Sequence, residues 1–187
     1  MKKTILFCFL FFPSLLAAQH SIGVDAQFYP TGIIPTLRFD YQLHNNSYLN
    51  IRAGYNFTDR QDSGKQDNEK GGGFGFGFGY EYKSFLINNL SLSLNTNLWF
   101  MEINWEETIP HCGVIPPCGE MVLKQSSDIA TLQPAIGLAY QMNLNKSLSL
   151  KPSLSYGYDL NIKTKGRPVG DGSIFLVGLN ISYHFKQ

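Results

Sequence analysis

Two features that would assign many chains to a class are missing from this 187-residue sequence. After an apolar stretch at the N-terminus, it has no run of about eighteen apolar residues that could form a membrane-spanning helix. Apolar residues spaced three and four apart, as on one face of a helix, form no pattern of useful length. Both a helical inner-membrane protein and an α-helical domain are therefore disfavoured.

Charge is also scarce, and it is balanced. Lys and Arg number 15 and Asp and Glu 14, which together are 16% of the chain and give a formal net charge of +1. Because basic residues are hardly in excess of acidic ones, a nucleic-acid partner is not expected. Because 43% of the residues are hydrophobic and 14% aromatic, the composition is that of a folded chain.

The N-terminus has the pattern of a secretory signal peptide. Lys2 and Lys3 precede an almost wholly apolar segment, residues 4–16, and small residues follow at Ala17 and Ala18. We predict a signal peptide over residues 1–18 and one domain over residues 19–187. The apolar segment is too short to span a membrane as a helix.

Cysteine is rare, and two of the three cysteines lie close together. Cys112 and Cys118 lie in the segment HCGVIPPCGE, whereas Cys8 belongs to the predicted signal. An exported chain meets an oxidising compartment, so we expect a local Cys112–Cys118 disulfide that contributes about 2 kcal/mol. A metal site with His111 is the alternative, but no fourth ligand is evident. We expect neither a metal nor a cofactor.

What the sequence has in abundance is alternation of apolar and polar residues, the period of a β-strand. Eight segments show it, each long enough to cross a bilayer as a tilted strand: residues 20–29, 34–43, 48–57, 72–82, 90–101, 129–142, 147–162 and 172–185. The apolar faces of these segments contain no Asp, Glu, Lys or Arg. Lipid exposure explains this, because an Arg or Lys facing mid-bilayer costs about 2 to 4 kcal/mol.

The opposite faces carry charge and would line a barrel lumen. Their charged residues are Asp25, Arg38, Asp40, Arg52, Glu81, Lys151 and Asp159. If the first hairpin turns about Thr31 and Gly32, Asp25 lies opposite Arg38. If the second turns about Asn46, Asp40 lies opposite Arg52. We interpret this lumen charge network as mutually neutralising structural pairs; a gate for a narrow ion path is the alternative.

The connections alternate in length, as in outer-membrane barrels. Residues 44–47, 83–89 and 143–146 form short turns, whereas residues 58–71, 102–128 and 163–171 form longer polar loops. Only the first outer connection, residues 30–33, is short. Aromatic residues gather at the strand ends and predict two interfacial girdles: Tyr80, Tyr82, Tyr140, Tyr183 and Phe185 at one end, and Phe57, Phe100, Tyr156 and Tyr158 at the other.

The last segment, with aromatics at Tyr183 and Phe185, resembles the C-terminal assembly signal of bacterial outer-membrane proteins, although it ends with Lys186 and Gln187. The whole chain resembles the small eight-stranded barrels of the OmpA and OmpX type. This resemblance implies an all-β, antiparallel transmembrane barrel in the outer membrane of a Gram-negative bacterium. It also implies lipid contact and insertion by the barrel assembly machinery.

Two local patterns have structural explanations. The segment GGGFGFGFG at residues 71–79 is a weak match to a phosphate-binding loop, because its glycines alternate with Phe as on a strand and no helical pattern follows. Pro134 and Pro152 lie within strands and cannot donate a ladder hydrogen bond. They predict a bulge or local opening where the sixth and seventh segments meet.

No catalytic constellation is apparent. The four histidines, His20, His44, His111 and His184, show no grouping with an outward Ser and a carboxylate. We expect a structural or interaction role, through the outer loops or as an accessory subunit of an envelope complex, with an envelope protein or a surface ligand as partner. A narrow ion channel and a lipid A-modifying enzyme are the alternatives.

Overall fold

The structure, a computed structural model, describes residues 20–61, 63–111 and 119–185, with the side chains of residues 111 and 119 excluded. It consists of antiparallel strands. In chain order these are β1 (His20–Tyr29), β2 (Gly32–His44), β3 (Ser47–Gln61), β4 (Asp67–Lys83), β5 (Leu90–His111), β6 (Gly119–Tyr140), β7 (Met142–Asn143), β8 (Leu148–Lys165) and β9 (Gly172–His184). Within these three ranges, no helix is long and apolar enough to cross a membrane.

The strands close into a ring. Consecutive long strands pair in order, β6 pairs with β8, and β9 returns to β1 through a register that joins Ile22 to Tyr183 and Phe28 to Val177. The two-residue β7 continues the line of β6 along β8. Closure gives each long strand a partner on both sides and so removes the open edges of a sheet. The predicted eight-stranded antiparallel barrel is confirmed.

Alternation along each strand separates two surfaces. Outward positions hold large apolar side chains, such as Leu37 and Phe74, which are 62% and 73% exposed. Inward positions of the same strands hold buried polar groups such as Asn50 and Gln133. All the aromatic residues predicted for the two girdles lie on the outer surface. A barrel with this apolar exterior is suited to lipid and not to water.

The outer connections are shorter than predicted, because strand pairing continues into them. β3 and β4 enclose only residues 62–66, and β8 continues to Lys165. The largest difference is in the expected loop 102–128, where β5 and β6 remain paired without a register shift from Leu90 opposite Tyr140 to His111 opposite Gly119. The prediction of an irregular loop is wrong there, since only residues 112–118 lie between these strands.

The register of the first two hairpins also differs from the prediction. Tyr29 pairs with Gly32, so the turn consists of residues 30 and 31, and Thr36 lies opposite Asp25. In the second hairpin, Asn50 lies opposite Asp40. Both predicted cross-strand pairs, Asp25 with Arg38 and Asp40 with Arg52, are therefore wrong by two residues. A two-residue shift keeps every side chain on its original face, so the apolar pattern alone does not reveal it.

The prolines interrupt pairing where the sequence indicates. Between β6 and β8, pairing stops after Leu132 and resumes at Ala135, leaving Pro134 in the gap. It stops again after Ala139, and Pro152 lies in β8 across from the break that separates β6 from β7. Proline has no N–H to donate to the neighbouring strand. The predicted local opening at this seam is confirmed.

Candidate functional site

The lumen on the N-terminal side of the barrel contains a group of six buried charged residues, which we term the inner charge cluster. Its members are Asp25, Arg38, Asp40, Arg52, Glu81 and Lys151. They project inward from β1, β2, β3, β4 and β8. Three are cations and three are anions, so their formal charges balance.

Glu81 is the residue that joins the cluster across the lumen. It is only 1% exposed, and Lys151 Nζ donates to both of its carboxylate oxygens at 2.9 and 2.8 Å. Arg38 Nη2 donates to Glu81 Oε2 at 2.5 Å, and Arg38 Nε donates to Asp40 Oδ1 at 2.7 Å. One carboxylate thus connects β4 to β2 and β8 through charge-assisted hydrogen bonds.

Arg52 forms the second part of the cluster. Its Nη1 lies 3.7 Å from Asp25 Oδ2, and its Nε and Nη2 donate to Asn50 Oδ1 at 3.1 Å and Asn95 Oδ1 at 2.9 Å. Asp159, the seventh charged residue predicted for the lumen, is not part of this group. It accepts from Gln133 Nε2 at 2.8 Å and lies 4.0 Å from Arg60 Nη2, toward the opposite end of the barrel.

The lumen around the cluster is almost completely filled. The cavity between these side chains has a volume of about 20 Å³, which is close to the space of a single water molecule. An eight-stranded barrel has an interior just wide enough for side chains to fill, and these side chains fill it. In this arrangement the cluster side chains connect the strands of the barrel wall across the lumen.

Toward the outer end, the interior changes from polar to apolar. Along β5 the inward residues are serine and asparagine up to Asn97, and then Trp99, Met101, Ile103 and Trp105. These four pack with Ile34, Ile129, Val169, Ile174 and Leu176. The sequence interpretation did not identify this apolar layer. Trp99, Ile174 and Leu176 lie on inward faces of predicted segments, but the alternating pattern gives only the face of each residue and not which of them meet across the lumen.

An outer cap closes the barrel above the apolar layer, and Glu69 is its central residue. Glu69 is fully buried and accepts from the backbone N–H groups of Lys65 at 2.8 Å, Gln66 at 3.0 Å and Gly170 at 3.0 Å. Arg60 Nη1 donates to Glu69 Oε2 at 3.2 Å and to the carbonyl of Gly170 at 2.6 Å. The two residues therefore join the β3–β4 connection to the β8–β9 connection.

The β8–β9 connection, residues 166–171, folds inward over the lumen. Val169 is 0% exposed and belongs to the apolar layer. Ser127 Oγ on β6 donates to the carbonyl of Arg167 at 2.9 Å. Gly166 begins the bend with a φ of 108°, a conformation that favours glycine. This connection acts as a cap and not as a free loop.

The β5–β6 hairpin projects beyond all other strands. The last β4 pair on β5 is Asp67 with Glu106, and the last β8 pair on β6 is Asp128 with Lys165. Beyond Glu106, five more residue pairs join β5 to β6 alone, a length of roughly 17 Å. Met121 and Val122 on this part are 42% and 52% exposed. We call residues 107–111 and 119–123 the projecting hairpin.

Arg60 and Glu69 were missed because the expected loop 58–71 contained them. The pattern itself could have found them, since Arg60 continues the inward alternation of Asn56 and Thr58, and Glu69 continues that of Gly73 and Gly71. No residue-level signal indicated that residues 166–171 fold into the barrel.

Several predicted residues lie outside the described ranges. These are residues 1–18 of the signal peptide, Cys112 and Cys118 of the predicted disulfide, and the last two residues; the His111 side chain is excluded as well. Tyr183 and Phe185 are described and lie on the outer wall, with ring centroids 5.7 Å apart in an edge-to-face contact. In the described part of the chain, no group of three or more His, Cys, Asp or Glu residues could hold a metal ion.

Comparison with known proteins identifies the fold. No family model matches the sequence, and no curated protein is detectably similar to it. Among solved structures, a major outer membrane protein from Thermus thermophilus matches with a TM-score of 0.56 and 14% identity, over 90% of this chain and 100% of that one.

Two other structures share the architecture at lower scores. Neisserial surface protein A (NspA) has a TM-score of 0.48 and 12% identity, over 90% of this chain and 96% of that one. The N-terminal β-barrel domain of Pseudomonas aeruginosa OprF has a TM-score of 0.46 and 15% identity, with coverages of 89% and 97%. The match to the Thermus protein, at 14% identity, shows the fold alone, which is that of a small outer-membrane β-barrel. The uncharged apolar wall fits the same setting, and the protein is an integral outer-membrane barrel.

Proposed function

We propose that this barrel is a rigid, non-conducting anchor that presents the projecting hairpin to a protein or surface ligand outside the membrane. The observation that carries the proposal is the extension of β5 and β6 about five residue pairs beyond every neighbouring strand. Outer loops and strand extensions on a fixed scaffold are where binding residues concentrate.

The surface of the projecting hairpin supports a contact role. If Phe100 lies in the interfacial girdle as predicted, the hairpin extends beyond the lipid, yet Met121 and Val122 are exposed there and Ile109 and Leu123 half-exposed. Exposed apolar side chains in such a position favour an interaction surface. Among the described residues, neither strand has a ladder partner on its outer edge there, and such edges accept an added strand.

The interior supports an anchor and not a channel. Above the inner charge cluster, the apolar layer around Trp99 and the outer cap around Glu69 close the lumen. We therefore expect the purified barrel to produce no steady single-channel conductance in a planar bilayer. Regular conductance steps from the intact protein, in the absence of denaturant, would contradict the anchor model.

The test removes the projecting hairpin and keeps the barrel. Residues 107–123 are replaced by Asn-Gly, which joins Glu106 to its pair Lys124 through a two-residue turn suited to an antiparallel hairpin. The full and shortened chains are crosslinked in native outer membranes and purified in mild detergent. We expect a stoichiometric component with the full chain that is lost from the shortened one.

A matched control is the pair Met121→Ser and Val122→Ser, which keeps the hairpin length and removes its apolar contacts. If apolar contact carries the interaction, this variant reduces recovery of the component; if strand pairing carries it, recovery persists. Equal recovery with the shortened chain, or no component with either chain, would contradict the proposal.

We also propose that the protein has no enzymatic role. The support is the position of the His184 ring, which contacts the Ser149 hydroxyl at 2.8 Å inside the lumen and so away from lipid. Lipid A from a deletion strain, analysed by mass spectrometry, is expected to match the parent strain. A changed acyl or phosphate pattern that the intact gene restores would contradict this.

A further inference from the structure

The open mouth at the end of the barrel where β1 begins and β9 ends contains a surplus of positive charge. Here the short connections 45–46, 84–89 and 144–147 surround a cavity of about 530 Å³. The volume is in the range of small-molecule sites. Its lining includes Lys83 and Lys146, and no Asp or Glu is among its described lining residues.

Lys83 is the cation that the fold positions at this mouth. It follows Glu81 by two residues on β4 and so points to the same, inward side. Its Nζ lies 3.7 Å from the centre of the Tyr48 ring, which holds the ammonium group by a cation–π contact. Among described residues, no carboxylate lies within ion-pair distance of Lys83.

The inner charge cluster does not neutralise Lys83. Glu81, the cluster residue that precedes it on β4, already accepts from Lys151 and Arg38, and the six charges of the cluster balance among themselves. Lys83 and Lys146 therefore add positive charge to a mouth whose remaining lining is mostly amide and hydroxyl groups, including Asn89, Gln141 and Asn143. Amides and hydroxyls supply hydrogen-bond donors to an anion without competing charge.

We propose that this mouth is a binding site for an oxyanion, a carboxylate or phosphate group carried by a polar molecule of the periplasm, with Lys83 as its principal counter-ion. Lys83 donates to the anion, Lys146 adds long-range attraction, and the amides of Asn89 and Asn143 fix its orientation. The polar lining suits a peptide or sugar acid and not a fatty acid. The site is at the opposite end of the barrel from the projecting hairpin and does not depend on it.

The test uses the full mature chain, refolded in uncharged detergent and labelled with ¹⁵N. Three probes are titrated: inorganic phosphate, N-acetyl-Ala-Ala with a free carboxylate, and its neutral carboxamide. We expect saturable shifts of the Ser84, Asn89 and Asn143 amides with phosphate, the free carboxylate or both, and none with the carboxamide. Which anion binds more tightly identifies the source of the group. Added salt should weaken binding.

Variants separate the site from general charge effects. Lys83→Met should weaken binding roughly tenfold or more, as expected for loss of a charged hydrogen bond, whereas Lys83→Arg should retain it. Lys163→Met, at the outer end of β8, should change nothing. Unshifted amides at Val169 in each variant verify the fold. The proposal is overturned if neither anion gives saturable shifts, or if Lys83→Met binds within twofold of the wild type.

Discussion

At the scale of single residues, Glu81 is the most consequential side chain in the lumen. Removing its charge in Glu81→Gln leaves Lys151 and Arg38 buried without their shared anion. Breaking a buried pair from one side costs about 3 to 5 kcal/mol. We expect a loss of unfolding free energy of this order, measured by urea titration in phospholipid vesicles.

The exposed residue Glu102 provides the control for this prediction. Glu102→Gln should change the unfolding free energy by less than about 0.5 kcal/mol. The double variant Glu81→Gln with Lys151→Met should recover part of the lost unfolding free energy, because it also removes a buried cation that no longer has its carboxylate partner. An unchanged unfolding midpoint for Glu81→Gln would show that the cluster does not stabilise the barrel.

The sequence could predict that Glu81 and its partners face inward, but not which of them meet. Period-two alternation decides the face of a residue, and a charge on the lipid face is too costly to occur. Register is a separate quantity, and a shift of two residues leaves the faces unchanged. Arg38 thus binds Asp40 and Glu81 and not Asp25. The first turn lies one residue earlier than predicted and therefore places Thr36, not Arg38, opposite Asp25.

At the scale of structural elements, Glu69 should control the outer cap without controlling the barrel. Glu69→Gln removes the charge that accepts from the Gly170 amide and Arg60. Local opening of residues 166–171 should become easier by about 1 to 3 kcal/mol. The measurement is hydrogen exchange at Gly170, which should accelerate roughly tenfold or more.

The matched control is Asp171→Asn, also in the 166–171 connection. This substitution breaks an exposed ion pair in which Lys65 Nζ lies 2.7 Å from Asp171 Oδ1. An exposed pair contributes little, so exchange at Gly170 should hardly change. If both variants accelerate exchange equally, the buried carboxylate has no special role in the cap.

Element boundaries were the part of the fold that the sequence revealed least well. Outside the membrane a strand no longer needs a lipid-compatible face, so β5 and β6 continue with Glu106, Glu107 and Lys124 among their outward or flanking residues. A polar segment of this kind has the composition of a loop, and only its continued pairing makes it a strand. Proline positions, by contrast, were informative because a missing N–H has the same effect in any sheet.

At the scale of the whole molecule, the apolar outer wall should make the stability of the barrel sensitive to any charged side chain introduced on it. Leu37 lies near the middle of β2 and is 62% exposed on the outer surface. In lipid, Leu37→Arg should cost about 2 to 4 kcal/mol of unfolding free energy, measured in vesicles. Leu37→Ala, which introduces no charge, should cost clearly less. Equal costs for the two variants would mean that this wall does not face the hydrocarbon core.

The inner charge cluster also ties its own completion to the closure of the ring. The members on strands β1 to β4 are three anions and two cations, namely Asp25, Arg38, Asp40, Arg52 and Glu81. The missing cation is Lys151 on β8, late in the chain. Glu81 therefore gains both of its cationic partners only when β8 has joined the ring, so the last strands of the chain complete an interaction that begins in β2 and β4.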